Sequence, residues 1–298
     1  MDVAAGLAIL GVLLLVPVPL ALARAGWVRA EPRAALVLWQ SVGLAAGLAA
    51  VGAGLAVSLH PLGAHLPAAL ARWATLAAAG DPGAGLGVAP LALLAVALIL
   101  LCWLLGVTAL SAARTWRIRR RHRDLIDLVS TPGPTTSRVI DHPAAAAWCL
   151  PGAGSRVVVT TGALGLLSDA ELDAVLAHEQ AHLAERHDLL ILPFTAWSAA
   201  LSWLGGPRRA REAVGRLVEM VADDRACAGR DPNVLAAALA RVGSAGVPAG
   251  TLGIHPVLDR VQRLLDPPRR SRRIRALAYL AAVALLAVPT AALFVPVG

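Results

Sequence analysis

The apolar positions of this chain fall mostly into long unbroken runs. Four of them, residues 3–23, 34–59, 86–113 and 276–297, reach the roughly 20 helical residues that a bilayer crossing needs, and they predict membrane-spanning helices. Between the third and fourth runs, residues 114–275 change character, with most of the acidic groups and shorter periodic segments. There, 144–150 and 156–161 read as two strands joined through Pro151-Gly-Ala-Gly-Ser, a hairpin whose small Ala144 to Ala147 side chains would let another backbone approach its edge. Ser168-Asp-Ala-Glu171 reads as a capping box opening a helix with an apolar stripe of Leu172, Val175, Leu176 and Leu183. Asp231-Pro-Asn opens a further helix, and 243–253 reads as a glycine-rich connector. The pattern predicts an α-helical multi-pass membrane protein carrying an α+β domain that is mostly helical.

Composition narrows the classes. Of 298 residues 57% are hydrophobic and 15% charged, which excludes intrinsic disorder. Three cysteines do not make a disulfide scaffold, and free thiols are expected. Every basic residue is arginine, and the net charge of +8 raises the question of nucleic acid. The excess lies in clusters flanking the apolar runs, at Arg24 to Arg33, Arg114 to Arg123 and Arg269 to Arg275, without a recognition motif. Direct nucleic-acid binding is therefore not expected, and contact with the lipid bilayer is. Because arginine-rich short loops stay cytoplasmic, the same clusters predict an external amino terminus, a cytoplasmic 114–275 domain and a short outer tail after the fourth span, which with it makes up 276–298. The first run lacks the basic start of a secretory signal and reads as a retained span, so that 1–113 holds three spans. His60 and His65 read as ordinary loop histidines. Small-residue spacing around Gly47 permits close helix packing and a possible homodimer.

The chemistry concentrates in His178-Glu-Gln-Ala-His182. Two imidazoles four residues apart lie on one helical face, one turn apart, and can share a metal ion. Glu179 points about 100° round the helix and can reach a water on that ion. Catalytic zinc usually takes three protein ligands and an open position. His187 is turned off the shared face, and three ligands on one straight helix, Glu185 included, would not converge, so a second helix must contribute. Glu219 and Asp223 share a face at i, i+4: one can ligate while the other hydrogen-bonds a ligand histidine, and spacing does not decide which. Glu219 is the preferred ligand, with Asp223 supporting His178 or His182. This site also bears on residues 189–207, a further uncharged apolar stretch. One crossing there would part the two halves of the site, so a buried or membrane-apposed helix is expected.

With HEQAH and the downstream Glu219-Met-Val-Ala-Asp223 in place, the chain resembles the gluzincin membrane peptidases, specifically the BlaR/MecR-type antirepressor peptidases and their HtpX and CAAX-protease relatives. The run RVVVTTGALGLLSDAEL at 156–172 and His255-Pro-Val-Leu-Asp-Arg260 add to the likeness. HtpX-type enzymes place two spans between HExxH and the third ligand, whereas one apolar segment stands here, which favours the BlaR/MecR arrangement. In the related patterns an aspartate follows the glutamate by four or by five residues, and Asp223 and Asp224 fill both positions. The beta-lactam receptors of that branch continue into an external sensor domain beyond the match, so antibiotic sensing is not carried over from the resemblance.

The resemblance implies a zincin-type fold and one catalytic Zn2+ on His178, His182 and Glu219. Glu179 is then the general base, and His255 a donor to the developing oxyanion. It implies a cell-membrane zinc metalloendopeptidase acting on a protein or peptide in the cytoplasm, with a transcriptional repressor as the favoured substrate class. The alternatives are an HtpX-like quality-control protease and a non-catalytic receptor with a structural zinc site.

Overall fold

The computed structural model describes residues 3–83, 85–152, 154–246 and 254–295. It contains four helices long and apolar enough to cross a membrane, at Val3–Arg24, Pro32–Leu62, Val88–Val129 and Arg272–Ala292. The first is broken into α1 (Val3–Leu15) and α2 (Pro17–Arg24). Pro17 has no amide to donate and its ring crowds the preceding turn, so the helix restarts with proline at its first position. The second is α3 (Pro32–Leu59), followed by a short helix α4 (Leu66–Ala78) that the apolar pattern does not predict.

The third, α5 (Val88–Val129), departs from the sequence reading. The expected boundary at 113 is not a helix end. Arginine is a good helix former, and no stop signal occurs before Ser130-Thr-Pro, so the helix continues past Arg114 as a rod joining the apolar bundle to the polar domain.

The polar domain begins with a small sheet of β1 (Thr131–Pro132), β2 (Arg138–Ile140), β3 (Ala147–Leu150) and β4 (Arg156–Thr160), in the order β1-β2-β4-β3. The expected hairpin is β3 and β4, paired antiparallel with Ala147 opposite Val159 and Leu150 opposite Arg156. Regular pairing starts at Ala147 rather than 144, because the Thr160 hydroxyl intercepts the Ala144 carbonyl and the Ala146 amide. Among the described residues β3 pairs only with β4, which leaves its outer edge open.

Six helices complete the chain: α6 (Thr161–Leu166), α7 (Asp169–Ala184), α8 (His187–Ala200), α9 (Gly205–Ala226), α10 (Pro232–Gly246) and α11 (Ile254–Leu265), ahead of the fourth candidate span α12 (Arg272–Ala292). The capping box at Ser168 and Glu171 is formed in both directions, which sets the start of α7. Helix α10 runs through Gly246, into the stretch read as a connector; the rest of that stretch, 247–253, lies outside the described residues.

Two apolar clusters hold this arrangement. Val175, Leu235, Ala238 and Leu264 join α7, α10 and α11, and truncating a fully buried residue such as Leu235 to alanine costs about 2–5 kcal/mol. Leu36, Trp39, Phe194, Val214 and Val218 join α3 to α8 and α9. The 189–207 stretch is thus a short helix and turn lying against the spans. Its Trp197 indole donates to Thr108 of α5, and Gln40 of α3 donates to the Leu190 carbonyl. At the start of α9, a Cβ on Gly206 would sit 2.5 Å from the Leu15 carbonyl oxygen. Only glycine lets the α8–α9 tip seat against the break in the first span.

Polar contacts pin the far end of the domain to the same bundle. Glu31, buried before α3, accepts from the Ser271 amide, and Arg263 donates to the Arg29 carbonyl.

Candidate active site

Helix α7 presents His178 and His182 to a cleft bounded by β3, α9, α10 and α11. Their Nε2 atoms are 3.0 Å apart. Glu219, one turn before Asp223 on α9, places Oε2 3.5 Å from His178 Nε2 and Oε1 3.5 Å from His182 Nε2. Zinc bonds of about 2.0–2.2 Å in a tetrahedron require ligand atoms separated by about 3.3 Å. The three separations bracket that value, so the residues fit a zinc ion.

The supporting groups are arranged behind this triad. Asp223 is fully buried, and its Oδ1 lies 3.0 Å from His178 Nδ1. The Nδ1–H donates to the carboxylate, which directs Nε2 into the cleft. Arg260 of α11 donates to both oxygens of Asp223 at 2.6 and 2.8 Å, and to Glu219 Oε2 at 2.8 Å. One guanidinium thus orients a ligand carboxylate and the acid behind a ligand histidine together. Asp224, the other candidate supporting acid, faces away and pairs with Arg263 and Arg270, each at 2.8 Å. A one-residue shift turns a side chain 100° round a helix, and only Asp223 shares the face of Glu219.

His187 is the residue that spacing missed. Its Nδ1 lies 3.0 Å from His182 Nδ1, so the two rings share a hydrogen bond on the side of His182 away from the cleft. Extrapolating α7 as a straight helix turns His187 off the shared face. The helix ends first, and Arg186 adopts a left-handed backbone (φ 48°) that returns the chain, placing the buried His187 against His182. An Arg-His step after the last helical residue is the only trace of this in the sequence. Beyond His187, its Nε2 is 3.6 Å from Glu185, which pairs with Arg33 at the start of α3.

Burial and charge set the protonation states. Burial lowers the pKa of His182 to about 4, leaving the neutral imidazole that metal binding requires. Burial acts the same way on His178, but hydrogen bonds to Asp223 and Glu219 outweigh it and raise that pKa to about 9. For Glu219, burial pushes upward, yet the His178 hydrogen bond and the Arg260 charge hold it at about 2. For Glu179 burial prevails: with repulsion from Glu219 it raises the pKa against the pull of the His178 charge and of Cys149. Its carboxylate takes hydrogen bonds from the Cys149 thiol and amide of β3, and burial together with that negative charge pushes the thiol up to about 12. Cys149 is accordingly a protonated donor. All three cysteines are free.

The cleft has a volume of about 550 Å3, with Glu179 and the metal triad on one side and Val175, Leu235, Leu239 and Val242 making an apolar wall. The open edge of β3 borders it through Ala147, Trp148 and Cys149. His255 falls at the start of α11, but its side chain lies outside the described residues.

Known proteins bear on this arrangement. Residues 112–220 match the profile of Peptidase family M48. The Protease HtpX homolog of Aeropyrum pernix is 33% identical over 162 residues, covering 47% of this chain and 50% of that protein. The chain thus spans about half the length of that curated relative. No solved structure matches. Both matches are likenesses to M48 metallopeptidases over part of the chain, and neither singles out the BlaR/MecR branch.

Proposed function

We propose that the chain is a membrane-spanning zinc metalloendopeptidase that cuts a polypeptide laid along the outer edge of β3. The observation that carries this reading is the convergence of His178 Nε2, His182 Nε2 and the Glu219 carboxylate beside Glu179, in a cleft bordered by an unpaired strand edge.

His178, His182 and Glu219 would hold one Zn2+, which when bound supplies a Lewis acid that acidifies water and polarises a carbonyl. The remaining work falls to the chain. A substrate strand added to β3 gains main-chain hydrogen bonds, and the small Ala145 and Ala147 side chains give its backbone room. Glu179 takes the proton of the attacking water at its carboxylate and returns it to the leaving amine. Burial makes Glu179 a stronger base than an exposed glutamate, which suits that exchange. Asp223 and Arg260 keep His178 and Glu219 aimed into the cleft throughout.

Two substrate classes follow from two observations. The HtpX homolog match favours a quality-control protease acting on membrane proteins. The single short α8 between HEQAH and Glu219 favours the BlaR/MecR-like reading, in which a cytoplasmic repressor is cut. The arginine clusters support a cytoplasmic catalytic domain and an external amino terminus. A cysteine placed at Ser244 and tested for labelling from either side of the membrane reports that orientation; labelling from outside alone overturns it.

The decisive experiment uses the full chain purified in detergent. Wild type should bind one zinc and cleave an unfolded protein substrate. Glu179→Gln should keep the zinc and lose about 10²–10⁴-fold in rate. A Glu179→Gln enzyme that cleaves at the wild-type rate overturns the reading, and zinc binding without cleavage by wild type points to the receptor alternative. Comparing new peptide termini in cells carrying wild type or Glu179→Gln then separates the substrate classes.

A further inference from the structure

A second pair of cavities lies away from the metal centre, in the membrane half. The first is apolar, about 230 Å3, and is walled by all three amino-terminal spans and the α8–α9 tip, including Leu15, Gly43, Gly47, Leu100, Trp103 and Trp203. The second is about 620 Å3 and opens where the first span ends, lined by Arg24, Arg29 and Arg216 with Asp259 as its acid. Trp39 lines both. They also follow one another along two helices. On the first span, Pro19 lines the apolar cavity and Leu22 to Arg24 the basic one; on α9, Ala210 lines the apolar cavity and Ala213 and Arg216 the basic one. At 1.5 Å per residue, Ala210 and Arg216 are about 9 Å apart along α9. A cationic mouth at the edge of the spans and an apolar chamber deeper among them therefore lie on either side of the buried Trp39.

The charges at the mouth lack protein partners. Among the described residues Arg24 and Arg216 pair with no carboxylate, and Arg29 reaches Asp259 only at 3.7 Å. The chamber is open for a physical reason as well. Gly43, Ala46, Gly47 and Ala50 present small side chains along one face of α3, and a Cβ on Gly47 would meet nothing within 4 Å. Packed interiors do not keep space of this size without an occupant or a cost in lost dispersion contacts.

We propose that these two cavities form one binding site for an anionic phospholipid of the bilayer, its headgroup phosphate on Arg24 and Arg216 and one acyl chain in the chamber beneath Trp39. Charge complementarity selects the headgroup, and the position of the chamber among the spans selects hydrocarbon. Basic pockets between membrane helices recognise anionic headgroups in this way. The lipid would wedge between the first span and α9 one turn before Glu219, and would brace the α8–α9 tip against α3.

The test reads binding rather than proteolysis, so it stands whether or not the chain is a peptidase. The full chain is reconstituted in phosphatidylcholine nanodiscs containing a minor fraction of phosphatidylglycerol or phosphatidylcholine with a photoreactive group at the end of one acyl chain. Cross-links are then mapped by mass spectrometry. The phosphatidylglycerol probe should label peptides carrying Trp103 and Trp203. Arg24→Gln with Arg216→Gln should cut that labelling about thirtyfold, the scale of losing two interfacial cations. Gly47→Leu should remove it by filling the chamber, whereas Gly106→Leu, whose added side chain meets open space on α5, should leave it unchanged. Zinc content checks that each variant is folded. Equal labelling by the phosphatidylcholine probe, competition by free fatty acid but not by phosphatidylglycerol, or labelling insensitive to both sets of variants overturns the proposal.

Discussion

Helix α9 begins in one chemical world and ends in another. Its first turns, around Gly206 and Ala210, line an apolar chamber where small residues leave room. Its last turns carry Glu219 and Asp223, locked between His178 and Arg260 with every buried carboxylate oxygen engaged. The difference teaches what each kind of burial demands. A charge removed from water must be met by partners at specified distances, so the metal end admits one arrangement. Apolar surface is content with any neighbour of suitable volume, so the apolar end can be filled in more than one way.

The sharpest way to break that contrast is Asp223→Ala. It leaves the Arg260 guanidinium buried with one carboxylate fewer, and should cost about 3–5 kcal/mol of stability in detergent denaturation. A cost below about 1 kcal/mol would mean that the metal end is as forgiving as the apolar end. Next in size, Arg260→Ala should weaken zinc binding about 10–100-fold in a chelator competition, because both Glu219 and the acid behind His178 lose their anchor. His187→Ala should lower zinc affinity by about tenfold through His182. His187→Gln, which can still hydrogen-bond the ring, should recover part of that loss; equal affinities for the two variants would make His187 a filler of space.

A pH titration sharpens the same comparison. His178 without metal holds its proton up to about pH 9, above its ordinary value, so zinc must displace that proton at any lower pH. Affinity should therefore rise with pH, by up to about tenfold per unit between about pH 7 and about pH 8.5, while His182, already neutral there, adds nothing. Asp223→Asn should flatten the rise; a flat wild-type profile would break the assignment of the proton to the Asp223–His178 pair. The smallest effects belong to the periphery. Arg270→Ala removes an exposed partner of Asp224 and should change stability by less than about 1 kcal/mol, and Gly47→Ala by about as little.

Much of this was legible along the chain, where the physics is local. The four apolar runs correspond to the candidate spans because crossing length is a property of consecutive residues. Ser168 and Glu171 announce the start of α7 because a cap bonds its own first turn. HEQAH announces two imidazoles on one face because helical spacing needs no tertiary context. The end of α5 and the helix α4 were not legible: charged residues continue a helix as readily as they leave a membrane, and short amphipathic turns carry weak periodicity.

What the sequence determined by itself, then, is the run of each element and the pair of histidines, both set by neighbours within a turn or two. It also narrowed the third group to Glu219 or Asp223 and preferred Glu219, although spacing alone does not part them. Only the tertiary structure decided that Glu219 faces the histidines while Asp223 stands behind His178, that Asp224 turns away, that Arg260 joins the two carboxylates, and that His187 returns through a left-handed residue to touch His182. Those contacts span from one bent turn to some 45 residues, and they depend on how α7, α9 and α11 pack against one another. Packing is settled by the shape and burial of whole faces, and no spacing within a single helix records it.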